Sequence, residues 1–198
     1  MCSSDLHRAN ALERQGYPVM HLEVGQPGTP APGTALAGVK GELDTQLLGY
    51  TEALGRPGLR ARIARHYLDR HGVKVAPERV VITTGSSSGF ILAFLALFDV
   101  GKSIGIANPG YPAYRNIARA LGLQARLIDC GAADQFRLSA SLVAKSGPLD
   151  GLLLASPSNP CGSIIDEAGL SGIASLCAAR GTALISDEIY HGRSEEHT

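Results

Sequence analysis

The chain has 198 residues, 44 % hydrophobic, 18 % charged and 5 % aromatic, with 24 glycines and 11 prolines. That length makes about one domain with a substantial core, and the apolar content excludes a disordered chain. Lys plus Arg and Asp plus Glu balance at 18 each, so no basic surplus points to nucleic acid or to a membrane surface.

The charged share lies below the roughly 25 % of average chains; with so many turn-makers, this suits an α/β protein with tight loops. The longest apolar run, Phe90 to Phe98, is bounded by Gly89 and Asp99 and is far short of the ~20 residues that span a bilayer. Met1 to Asn10 shows no basic-then-apolar leader pattern. Cys2, Cys130, Cys161 and Cys177 have no paired metal spacing, so reduced thiols, no metal and a cytoplasmic location are expected.

Both ends look foreign. Arg193-Ser194-Glu195-Glu196-His197-Thr198 is what a common sequencing adapter encodes. The adapter's reverse complement, read in another frame, gives Met1-Cys2-Ser3-Ser4-Asp5-Leu6. Residues 1–6 and 193–198 are therefore expected to be adapter translation flanking a gene fragment. Residues 7–44 read as loop-rich, with Gly25, Pro27, Gly28, Pro30, Pro32 and Gly33 crowded together.

Along the chain, Arg56 to His71 predicts a helix, with Leu59, Ile63, Tyr67 and Leu68 at helical spacing and Gly72 as its stop. Short apolar runs follow at Val80–Thr84, Ile104–Ala107, Ala125–Asp129, Leu152–Ser156 and Ala183–Ser186. Between them lie helical patterns near Ser87–Phe98, Ala113–Leu121, Ser139–Ala144 and Asp166–Arg180. Apolar strands alternating with helices imply a mostly parallel sheet with helices on both faces.

Polar and glycine clusters follow four of these strands: Gly85-Ser86-Ser87-Ser88, Asn108-Pro109-Gly110-Tyr111-Pro112, Ser156-Pro157-Ser158-Asn159-Pro160 and Asp187-Glu188-Ile189-Tyr190. Ligands of open α/β sheets bind beyond the carboxyl ends of strands, so these clusters should line one crevice. A strand-to-helix turn with Gly85, Ser86 and Ser87 suits a phosphate, or is a plain Ser-rich cap. Tyr111 can stack on a flat ligand or fill the core. Asp187, at the end of an apolar strand, needs a cationic or N–H partner, unless it is a loop charge. Asn159 before Pro160 offers an amide, or only a turn.

As a set, these residues describe a seat for a phosphorylated aromatic cation, and here the sequence resembles fold type I pyridoxal-phosphate enzymes, the class I/II aminotransferases. The resemblance covers roughly residues 20–192 and implies an N-terminal arm and small-domain segment over 7–44 and an incomplete cofactor-binding large domain over 45–192. It rests on Leu48-Gly49-Tyr50, Gly55, Gly58-Leu59-Arg60 and Thr84-Gly85-Ser86-Ser87. It continues through Asn108-Pro109-Gly110-Tyr111-Pro112-Ala113-Tyr114, Ser156 to Gly162, and Ser186-Asp187-Glu188-Ile189-Tyr190, with Asp187 lying 28 residues after Asn159. Cys161 stands where the family usually has Thr.

The resemblance implies pyridoxal 5'-phosphate as cofactor. Asp187 would pair with its ring nitrogen, Asn159 and Tyr190 with its phenolate oxygen, Tyr111 with its ring face, and Gly85, Ser86 and Ser87 with its phosphate. Tyr50 would reach the phosphate of a neighbouring subunit, implying a homodimer, and Gly25 would lie near the substrate carboxylate. An amino acid and a 2-oxo acid would be the substrates. The family's Schiff-base lysine lies a few tens of residues past the Asp-x-x-Tyr segment, and its small domain is completed further on. Neither occurs in this chain, which is therefore expected to be inactive.

Other readings compete. A pyridoxal-phosphate-dependent lyase or synthase shares the same pocket, and related domains act as sensors in transcription regulators. Gly85-Ser86-Ser87-Ser88-Gly89 fits a nucleophile elbow with Ser87 as nucleophile, but Asp187 and His191 on one strand end cannot readily supply both triad partners. Gly101-Lys102-Ser103 lacks the upstream glycine of a phosphate-binding P-loop and precedes a strand.

Overall fold

The computed structural model describes residues 3–21 and 29–192. The chain divides into two compact units, Met1–Thr83 and Thr84–Thr198.

In the second unit the apolar runs become strands: β1 (Ser103–Asn108), β2 (Gln124–Asp129), β3 (Gly151–Ala155) and β4 (Ala183–Asp187). They form one parallel sheet in the order β2-β1-β3-β4. The helices α4 (Ser86–Leu97), α5 (Pro112–Ala120), α6 (Ala140–Lys145) and α7 (Glu167–Arg180) connect or precede them. Side chains alternate across a strand, so neighbours on β3 enter different cores. Leu152 and Leu154 pack with Val143 of α6 and Ile173 and Cys177 of α7. Leu153 joins Ile104 and Ile106 of β1 with Phe90 and Phe94 of α4 and Ala118 of α5. Helices thus cover both faces, as expected. Each fully buried Leu or Phe contributes roughly 1.5–3 kcal/mol relative to exposure.

Register fixes where the polar clusters emerge. Asn108 pairs with Asp129, and Ala155 with Asp187, so strand ends and the loops after them share one edge of the sheet. Local chemistry sets the helix ends beside it. Pro112 opens α5 with a preset φ. The Asp166 carboxylate accepts a hydrogen bond from Gly169 N at 2.7 Å to cap α7.

The first unit holds α1 (Ser3–Arg14), α2 (Gly33–Thr45), α3 (Pro57–His71) and a short 3-10 turn, Pro77–Arg79. Two expectations are corrected here. The stretch read as loop-rich, 7–44, contains most of α1 and α2; its glycines and prolines cluster around 25–33, between the helices. Val80–Thr84 is no strand. Its backbone bonds run elsewhere: Val80 N donates to Pro77 O and Ile82 N to Leu54 O, while Arg60 Nε donates to Val80 O at 2.8 Å. β-rich composition cannot make a strand without a ladder partner. The helix α3 forms as expected, yet Leu59, Tyr67 and Leu68 of its apolar stripe are exposed and only Ala64 is buried. No helix of the described residues is long and apolar enough to cross a membrane.

Candidate active site

Asp187 closes β4 and is 8 % exposed. A buried carboxylate is costly unless hydrogen-bonded, and both its oxygens are held. Tyr114 Oη donates to Oδ2 at 2.5 Å, and Ile189 N donates to Oδ1 at 3.0 Å. Burial, and then this contact with Asp187, raises the Tyr114 phenol well above its ordinary pKa. It stays neutral and remains a donor. Ser156 N also donates to the Asp187 carbonyl, tying the loop after β3 to the end of β4.

Tyr114 is itself wedged between aromatic rings. Tyr111, the residue that caps α5, meets it edge-on at 5.3 Å between centroids. Phe90 of α4 does so from elsewhere at 5.0 Å. Ser86 lies about one helical turn before Phe90, so the first turn of α4 is linked to Asp187 through Phe90 and Tyr114. Gly85 precedes that turn at φ +84°, a conformation that L side chains rarely adopt. Ser86 and Ser87 thereby begin the helix immediately, with the first-turn amides at its positive end. Gly110 is required for another reason: a Cβ there would collide with the Ala107 carbonyl oxygen. Pro109, Gly110, Tyr114, Ser158 and Asn159 line a small shared pocket. Asn159 Nδ2 donates to Tyr190 Oη at 3.4 Å.

The structure thus brings together Tyr111, Asn159, Asp187 and Tyr190, with α4 carrying Ser86 and Ser87 alongside. A buried carboxylate, a stacking ring and a helix N-terminus suit a flat cationic ring bearing an anionic group. Tyr50 belongs to the first unit and is fully exposed. Gly25 lies outside the described residues. Sequence reasoning gave Tyr114 no role, although a signal existed: it follows Tyr111 by three residues at a helix start, the spacing that places side chains on one face.

The rival chemistries lose their footing. The Asp187 carboxylate is engaged by a tyrosine and a backbone amide, not arranged as the orienting acid of a serine nucleophile. Lys102 pairs with Asp150 at 2.9 Å, just before β1 and therefore at the opposite edge of the sheet.

The family profile described as aminotransferase class I and II matches residues 17–197. This chain belongs to that family. It is 49 % identical over 185 residues to valine–pyruvate aminotransferase of Mycobacterium tuberculosis, covering 92 % of this chain and 48 % of the relative. It is 32 % identical over 194 residues to an arginine–pyruvate transaminase of Pseudomonas aeruginosa, covering 94 % and 48 %. Among solved structures, an aminotransferase from Mycobacterium tuberculosis superposes with a TM-score of 0.91 at 46 % identity, covering 96 % of this chain and 49 % of that one. Aspartate aminotransferase from Thermus thermophilus superposes with the same TM-score at 25 % identity, covering 95 % and 50 %. The chain of this aminotransferase-family member spans about half the length of the curated relatives it matches.

Proposed function

We propose that this chain forms the cofactor-holding part of a pyridoxal-phosphate-dependent aminotransferase that moves an amino group between an amino acid and a 2-oxo acid. One observation carries the reading: the buried Asp187 carboxylate, held by Tyr114 and Ile189 N, stands at the same sheet edge as Tyr111. Bound there, pyridoxal phosphate supplies an electron sink for a carbanion next to the substrate's nitrogen.

The protein's part is to hold and polarise. Asp187 keeps a proton on the ring nitrogen, since an ionised carboxylate favours a charged neighbour. Asn159 and Tyr190 donate hydrogen bonds to the ring oxygen, and Tyr111 covers one ring face. Gly85, Ser86 and Ser87 present amides and hydroxyls to the phosphate at the start of α4. Tyr50 serves the phosphate of a second subunit in a homodimer, and the family motif assigns Gly25, outside the described residues, to the substrate carboxylate. The lyase, synthase and sensor readings have no comparable support, because the relatives described above are all aminotransferases.

The test is Asp187→Ala in the whole gene product that carries these residues. Turnover should fall by orders of magnitude, because charge stabilisation specific to the transition state is lost. Near-wild-type turnover, or a wild-type protein that does not bind pyridoxal phosphate, overturns the assignment.

A further inference from the structure

We infer that Tyr114 is a positioning residue that sets two parts of the site at once: its hydroxyl orients the Asp187 carboxylate, and its ring seats Tyr111. The inference rests on the functional reading above and assigns a role to a residue that reading leaves without one.

Four observations converge on this side chain. Its hydroxyl makes the 2.5 Å bond to Asp187 Oδ2, and the other oxygen is fixed by Ile189 N. With an anchor on each oxygen, the carboxylate plane cannot rotate freely. Its ring stands nearly perpendicular to Tyr111, at 82°, the edge-to-face arrangement that aromatic pairs favour. A second such contact, with Phe90 at 78°, fixes the Tyr114 ring from α4. Finally, Tyr114 is 3 % exposed and belongs to the core cluster of Phe90, Phe94 and Ile106, so its ring is packed on nearly every side. It therefore transmits the placement of α4 and α5 to the ring-nitrogen acid and to the stacking ring together.

Two substitutions separate the hydroxyl from the ring. Tyr114→Phe removes only the donor; Tyr114→Leu removes donor and edge-on ring. Cofactor dissociation constants are measured by absorbance titration of the whole gene product, and the ring nitrogen is followed with 15N-labelled pyridoxal phosphate. Tyr114→Phe should shift the 15N signal and its pH dependence and lower kcat five- to twentyfold, with KM within twofold. Its cofactor affinity should weaken threefold or less. Tyr114→Leu should weaken cofactor affinity tenfold or more.

Cycles then show whether Tyr114 acts through its partners. On an Asp187→Asn background, Tyr114→Phe should leave the 15N signal unmoved. On a Tyr111→Leu background, Tyr114→Leu should weaken affinity by less than twofold beyond what Tyr114→Phe costs there. Additive effects in either cycle, or a wild-type 15N signal in Tyr114→Phe, overturn the inference while leaving the cofactor assignment intact. Failure of the wild-type protein to bind pyridoxal phosphate overturns both.

Discussion

Single residues carry the most direct tests. Asp150 accepts bonds from Ser103 N at 2.8 Å, from Lys102 Nζ at 2.9 Å and from Ser103 Oγ at 3.0 Å. Led by the backbone bond, these hold its carboxyl down to about 2. A group whose folded pKa is depressed adds stability above its unfolded value of about 4, and that stability is lost as pH falls towards 2. The side chain is partly solvent-exposed, so screening limits the contribution to about 1 kcal/mol or less. Asp150→Asn should lower stability at pH 7 and flatten the fall between about pH 4 and pH 2, read by chemical denaturation across that range. Tyr50→Phe tests the proposed reach across a dimer: cofactor retention should weaken by about 0.5–1.5 kcal/mol, the scale of one hydrogen bond. A fully active monomer would contradict that role.

At the level of elements, the turn from β1 into α5 places Tyr111. Gly110→Ala pushes a Cβ into the Ala107 carbonyl, and the cheapest relief is a shift of the turn that carries Tyr111. Cofactor affinity should fall severalfold while the melting temperature changes by only a few degrees; unchanged affinity would show that the turn absorbs the methyl. Helix α7 offers a control remote from the chemistry. Removing its cap with Asp166→Ala should cost about 0.5–2 kcal/mol of stability and leave cofactor binding unaltered, as measured by paired denaturation and titration curves.

For the whole molecule, the distribution of lysines makes a strong prediction. The chain has four: Lys40, Lys74, Lys102 and Lys145. Lys102 is bonded to Asp150 ahead of β1, while Tyr111 follows the other end of that strand. Six residues at ~3.3 Å put it roughly 20 Å from the candidate site, beyond a lysine's reach. Lys145 ends α6 ahead of β3, again on the amino side of the sheet. Lys40 lies on α2 and Lys74 just past α3, so neither follows a strand of the sheet. The 198-residue chain on its own should therefore transfer no amino group. Adding pyridoxal phosphate, reducing with borohydride and mapping modified lysines checks this. A stoichiometric adduct on one of the four, accompanied by transfer, would refute it.

By itself the sequence determined the second unit almost completely. Apolar runs flanked by helical patterns have few stable arrangements beyond a covered parallel sheet, and the four strands there match to within a residue or two. It also singled out Tyr111, Asn159 and Asp187, because the polar clusters at the carboxyl ends of β1, β3 and β4 emerge at one sheet edge; Tyr190 was added by the family resemblance. Only the tertiary structure decided the rest. Val80–Thr84 looks as strand-like as β1, but a strand exists through its ladder, and this segment's backbone bonds go to Leu54 and Pro77. Helix α2 was hidden because local glycines and prolines outweighed a weak apolar pattern. Tyr114 was overlooked for a related reason: its importance lies in a contact with Asp187, 73 residues away, and no local pattern encodes which distant donor a buried carboxylate will find.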